Sequence, residues 1–358
     1  MDTKTERSVF AAEVRMKFDD LLRAGNEAVR TQMTRGADLL LLRGDDDLIP
    51  ASDDGYFPEG SMIRRVQSEH AVGLLFGPRA MTTLVLDPRV FSGTAIHAFN
   101  RKRFFLRMAH TGHVFETVFF GSKAEADAAL ARVHKMHESV EGVIPRNVGT
   151  WKAGTPYSAF GPEEQLWTVG SMFDAALTFY ELLVAKLTDA EREQLWQDYR
   201  LFGELFGMDR SLMPATYPDF VEYWNGRINS GELCLSDDAK AMGYHLSFGL
   251  PLPLFMKPIQ SIMELILKGS LPPWVREQYR LTYNLADAAR FEAVTRAIRA
   301  SRLEKPMSVS RRLTKAYGKP WRGDNAYLFN MVARTERRRV LRGRTSIPGF
   351  SDLEYLKD

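Results

Sequence analysis

Three polar side chains of different chemistry stand on one side of an otherwise apolar stretch, FLRMAHTGHVFETVFFG, at residues 105–121. Arg107, His110 and Thr111 follow the i, i+3, i+4 spacing that brings side chains together on a helix. Phe105, Met108, Val114, Phe115, Val118 and Phe119 surround them at helical spacing, which predicts a buried helix. A guanidinium and an imidazole in an apolar interior need partners, because burying an unpaired charge is costly. Such a stripe can line a pocket for a substrate or an anionic cofactor. A plainer reading pairs the arginine with a carboxylate of a neighbouring helix and bonds the histidine to a backbone carbonyl. Asp174, in the apolar run TVGSMFDAALTFY, is then the most economical partner for Arg107. Thr111 can bond back to the Arg107 carbonyl or offer its hydroxyl to a ligand. Gly170 and Ser171, shortly before Asp174, permit close approach of another backbone or of a flat ligand.

Other chemistry-bearing patterns are weaker. His134 and His137 lie three apart, like His110 and His113, but no Glu-x-x-His carboxylate pairing accompanies either pair as a di-iron bundle requires. Taken alone, such a pair reads as surface or core-satisfied imidazoles. The P-loop, the dinucleotide glycine fingerprint, HExxH and GxSxG are all absent, which removes the common nucleotide and hydrolase motifs. The lone Cys234 permits neither an intrachain disulfide nor a cysteine-based zinc site and fits a reducing cytoplasm.

The elements that must position these residues are almost all helices. Period 3.6 dominates and strand-like alternation is scarce. Residues 9–32 predict an amphipathic helix, followed by the turn-rich RGDDDLIPASDDGYFPEG. EHAVGLLFGPRAMTTLVLD predicts a buried helix broken near Gly77 and Pro78, and Pro88 starts another. Ser122 and Glu125 form a capping box ahead of a helix that Gly142 is expected to end, and Thr188 and Glu191 form a second box. The long run from Gly161 to Leu187 predicts a helix buried on most faces. The expectation is an all-α fold, a single large domain of about ten helices around a buried apolar pocket. Its expected parts are an N-terminal helix and loop extension at 1–68, a helical domain at 69–300 and a basic C-terminal extension at 301–358.

With 48 Lys and Arg against 45 Asp and Glu, the net charge of +3 is too near balance to argue for nucleic acid or a membrane surface. The arginine-rich VARTERRRVLRGR near the C-terminus is a local basic patch, read first as a solvated helix surface and second as a phosphate- or partner-binding face. Neither a signal peptide nor a transmembrane helix is expected, because the apolar runs are short and broken by Pro and Gly. The expected location is the cytoplasm.

Five blocks, in order over about residues 70–290, resemble the family of rubber oxygenases and the oxygenase of fungal mycophenolic acid synthesis. They are HAVGLLFGPRAMTTLVLDPRV, the run from His97 to Gly142, YSAFGPEEQLWTVGSMFDAALTFYELL, LTDAEREQLWQDYRLFGELFG and MPATYPDFVEYW. The family pattern sets an Arg three residues before a basic residue and four before a Thr, then an apolar run and a His-x-x-Val-x-Gly close. Here these are Arg107, His110, Thr111, VFFG and HESVEG at 137–142. The resemblance implies an all-helical fold, a b-type haem, and cleavage of carbon–carbon double bonds with dioxygen. It also implies that Arg107 and Thr111 are polar residues on the distal side of that haem. His110 falls where rubber oxygenases offer a Lys to the iron.

Three departures bear on that implication. Relatives carry a proximal histidine in LWVHATL, where LWTVGSM here puts Val169. Asp87 replaces the His of their AHP motif, and Ile96 replaces the Glu that often precedes the position of His97. The resulting expectation is a haem b-dependent oxygenase-type enzyme with altered ligation, acting on an apolar small molecule with dioxygen. In it His110 is the metal ligand, Arg107, His110 and Thr111 are catalytic, and Gly170 and Asp174 are further cofactor contacts. The alternatives are a haem-free member using His110 with Asp174 or Asp87 for acid–base chemistry (an isomerase, cyclase or dehydratase), and a non-catalytic binder in which Arg107 grips a carboxylate.

Overall fold

The computed structural model describes residues 51–97, 104–252, 257–301 and 325–342. These belong to one compact unit of residues 51–305 and 323–358, while a second unit of residues 1–50 and 306–322 lies outside the described residues. The helix expected at 9–32 is among those left out.

The described elements are α1 (Met62–Gln67), α2 (His70–Leu84), α3 (Pro88–Ile96), α4 (Phe104–Phe120), α5 (Lys123–His137), β1 (Glu141–Val143), β2 (Pro156–Ser158), α6 (Pro162–Leu183) and α7 (Asp189–Leu205). There follow a 3-10 turn (Arg210–Leu212), α8 (Tyr217–Asn229), α9 (Asp237–Ser247), α10 (Lys257–Ser270), α11 (Pro273–Gln278), α12 (Leu285–Ser301) and α13 (Asn325–Val340). The fold is all-α. The two short strands make an antiparallel hairpin, with Gly142 opposite Tyr157.

The two long buried helices α2 and α6 pack along each other at the centre, and α7, α9, α10 and α12 surround them. Trp167, Phe173 and Phe179 of α6 and Trp196, Tyr199 and Phe202 of α7 are almost wholly buried and form the largest aromatic part of the core. The helix α2 is not broken at Gly77 and Pro78 but runs through them. An interior proline costs roughly 3 kcal/mol, and burial of α2 against α6, α9 and α10 outweighs it. Both expected capping boxes form, at Ser122 with Glu125 and at Thr188 with Glu191, and Thr216 with Asp219 makes a third. Gly142 does not end α5. That helix stops at His137, and Gly142 instead lies in β1 under Tyr157, whose hydroxyl would stand 2.8 Å from a Cβ there.

The helix α4 is held from both sides. It packs on α5 and, over much of its length, on α13. Val332, Ala333 and Glu336 of α13 are buried, so this part of the arginine-rich segment is not a solvated surface throughout. Arg338 and Arg342 are exposed and keep that character.

Candidate functional site

The site begins with how α4 starts. Glu336, fully buried on α13, accepts the backbone N–H of Phe105 with one carboxylate oxygen and that of Leu106 with the other, both at 3.1 Å. A carboxylate at this end satisfies orphaned donors and complements the helix dipole. Arg107 therefore sits in a first turn anchored from 229 residues further along the chain.

From that turn the Arg107 guanidinium donates to the carbonyl of Thr94 on α3. Thr111 donates to the Arg107 carbonyl at 3.2 Å, one of the two bonds expected of it. The same stripe continues as Phe115 and Phe119. Their rings meet Phe202 of α7 and Phe206 just beyond its end at centroid distances of 5.2–5.8 Å, building an aromatic floor. Arg107 keeps part of its surface accessible, yet desolvation pushes its pKa down to about 10. No carboxylate pairs with it among the described residues, whereas Arg79, Arg89 and Arg227 each have one.

Next to this face, α5 packs on α4 and the hairpin packs on α3. His134 donates from Nε2 to the Leu205 carbonyl at the end of α7, at 3.1 Å, as a core-satisfied imidazole does. His137, one turn on, is different. Its Nδ1 is enclosed without a partner. Burial depresses the His137 pKa, and the nearby His134 and Arg107 charges add to the effect, so the ring is neutral at pH 7. The Phe160 ring stands edge-on to both histidines. His97, at the end of α3 three residues after Thr94, bonds through Nε2 to the Tyr157 hydroxyl at 3.1 Å. Burial raises the Tyr157 pKa and keeps the phenol protonated. The sequence placed neither His137 nor Tyr157 among the expected site residues, and His97 only behind His110 as a ligand for the iron. The one available signal was that His137 opens the HESVEG block.

The remaining expected residues lie elsewhere or are already engaged. His110 and His113 are exposed, off the inward stripe that carries Arg107, Thr111 and Phe115. Asp174 does not pair with Arg107: its Oδ2 takes both Nε and Nη2 of Arg79 on α2, at 3.1 and 2.7 Å, and Arg79 also reaches Ser270. Gly170 faces α8, where Phe220 and Trp224 would stand 3.2 Å from a Cβ. Asp87 is completely buried, caps α3 through the Arg89 N–H, and pairs with Arg89 and Arg227 at 2.9 and 2.7 Å. Neither Asp87 nor Asp174 is therefore available as a base beside His110.

Neither Val169 nor the exposed His110 fits as the ligand of the haem that the resemblance implies. Val169 has no donor atom and lies in the core, with Cγ2 3.3 Å from where a Gly203 Cβ would be. The inward stripe of α4 carries no imidazole and closes onto α7 through phenylalanines. Arg107 keeps donors beyond its bond to the Thr94 carbonyl and can offer them to an oxygen-bearing group near the phenylalanines of this stripe.

Comparison with known proteins agrees with the helical architecture. A family model described as "ER-bound oxygenase mpaB/B'/Rubber oxygenase, catalytic domain" matches residues 64–300. Uncharacterized proteins of Mycobacterium tuberculosis and Mycobacterium bovis are each 27% identical over 219 residues, spanning 60% of this chain and 79% of theirs. No solved structure matches the chain.

Proposed function

The chain belongs to the family of mpaB-type and rubber oxygenase catalytic domains, and from that premise we propose an oxygenase-type enzyme acting on an apolar small molecule at the face of α4 that carries Arg107. One observation carries the reading: Arg107 is desolvated, has no carboxylate partner among the described residues, and heads a stripe that ends on an aromatic floor. A guanidinium so placed stabilises negative charge developing on an oxygen of the substrate or of dioxygen. Removing one preorganised donor of this kind costs on the order of 10²–10³ in rate. Thr111 holds the local helix geometry through the Arg107 carbonyl. Phe115, Phe202 and Phe206 take the apolar body and keep water from it. No step is routed through haem, because neither Val169 nor the exposed His110 fits as its ligand.

The test is incorporation of label from ¹⁸O₂ across a panel of apolar alkenes and aromatic compounds, beside a haemin titration. The expected result is labelled product, a loss of about 10²-fold in Arg107→Gln, and no stoichiometric Soret band. A one-to-one Soret band abolished by His110→Ala would restore haem ligation by that residue. Turnover without label would favour the second reading, acid–base chemistry at His137, whose enclosed Nδ1 without a partner is the observation behind it.

A further inference from the structure

Arg107 is fixed at two points, the tip of its side chain and the turn of helix that carries it. At the tip, Nη1 donates to the Thr94 carbonyl in the last turn of α3. A helix leaves its last four carbonyls without an intrahelical partner, and α3 ends at Ile96, so a donor is in place there. At the other point, Glu336 takes the Phe105 N–H on one carboxylate oxygen and the Leu106 N–H on the other. With both oxygens engaged, any rotation or slide of this turn lengthens at least one of the two bonds. Phe104 and Phe105 are almost wholly buried, so apolar packing keeps the turn in the core. That packing is non-directional and does not fix the rotation of the turn, whereas two hydrogen bonds do. Glu336 itself comes from α13, beyond residue 300 where the family match ends.

We propose that Glu336 is a positioning residue for Arg107, a carboxylate supplied from outside the matched catalytic domain that sets the turn from which the guanidinium works. The inference rests on the reading of Arg107 as the group that stabilises charge on oxygen, and adds the residue that places it. The effect runs along the backbone, since Leu106, whose N–H Glu336 holds, is joined directly to Arg107. Placement of this kind matters because a shift of about 1 Å at a working group can cost on the order of 10²-fold in rate. Glu336→Gln keeps the volume and one acceptor oxygen but turns an amide NH₂ toward the second backbone donor, so one of the two bonds is lost.

Two measurements on the full chain test this, and the first needs no turnover. In protein labelled with ¹⁵N-arginine, the Arg107 guanidinium is assigned by its absence in Arg107→Gln. Wild type is expected to show a slowly exchanging N–H signal there, from the bond to Thr94. Glu336→Gln is expected to lose that signal while circular dichroism stays unchanged, and Glu336→Asp, with its charge on a shorter stem, to keep part of it. The second measurement is a double-mutant cycle on kcat/KM in the ¹⁸O₂ assay. Glu336→Gln is expected to cost about tenfold in the wild-type background. In the Arg107→Gln background it is expected to cost less than about twofold, because nothing is left to place.

An Arg107 signal that is absent from wild type, or unchanged in both Glu336 variants, overturns the proposal. So does a loss of activity that recurs undiminished in the Arg107→Gln background, which would make Glu336 a general support of the fold. If Glu336→Gln loses helical signal, Glu336→Asp carries both measurements. Loss of the Arg107 signal in Glu336→Gln, with Arg107→Gln as active as wild type, upholds the placement and overturns the role given to Arg107 instead.

Discussion

Arg107 and Asp87 are both charged groups taken out of water, and their surroundings make opposite demands on stability. Burial alone would raise the Asp87 pKa, but Arg89 and Arg227 outweigh it and hold the carboxyl below its usual range. Its folded pKa is thus below its unfolded one. The stabilisation is complete above the unfolded value near 4 and is lost as pH falls through the folded value. Asp87→Asn should cost about 3–5 kcal/mol in urea unfolding at pH 7, because two buried guanidinium groups lose their counter-charge. Arg107 has no such pair, so Arg107→Gln should change ligand-free stability by less than about 1 kcal/mol while binding is lost, as at sites where function costs stability. A loss well above that would make Arg107 a structural residue. His137 carries the reverse sign from Asp87. Its folded pKa is depressed, first by burial, so the unfolded chain binds the extra proton and stability falls as pH drops below the unfolded histidine value. Unfolding free energies at pH 7.5 and 5.5 should differ less in His137→Gln than in wild type.

At the scale of elements, α4 depends on α13 for its first turn, and α2 depends on a close approach by α9. Glu336→Ala removes the acceptor for two backbone donors and should cost about 1–2 kcal/mol. Amide exchange at Phe105 and Leu106 would rise before that of the rest of α4. Unchanged exchange there would mean that α13 does not anchor the helix. Gly243 on α9 is where Tyr279 reaches across to the Thr82 carbonyl at 2.9 Å, and a Cβ at 243 would fall 2.1 Å from the tyrosine oxygen. Helix propensity favours Gly→Ala by up to ~1 kcal/mol, but overpacking costs about 1–3 kcal/mol and should win. Gly243→Ala is therefore expected to lower the thermal midpoint, and a rise would show that Tyr279 moves aside freely.

Taken as a whole molecule, the compact unit does not end where the family match ends at residue 300. Val332, Ala333 and Glu336, from beyond it, are buried against α4 and α2. Val332→Asp would bury a carboxylate and should lower stability by more than about 2 kcal/mol. A neutral outcome would return α13 to the solvated surface that its arginines alone suggest. No described helix is long and apolar enough to cross a membrane, which agrees with the broken apolar runs of the sequence.

What the sequence determined by itself is what acts over one or two turns. The helical class, the two capping boxes and the back-bond of Thr111 to the Arg107 carbonyl all follow from three- and four-residue spacings, which any helix realises. The five family blocks were legible for the same reason, because their order is linear. Tertiary structure alone decided the partners. Asp174 lies 95 residues from Arg79 and 67 from Arg107, and no local pattern prefers one over the other. His110 shares its spacing with Arg107 and Thr111 but falls on the exposed flank of the stripe, since i+3 and i+4 differ by about 100° around the axis. His134 and His137 were indistinguishable as a pair until α7 brought a carbonyl to one and nothing to the other. Spacing places a side chain on a helix face, but which faces turn inward depends on how the helices pack.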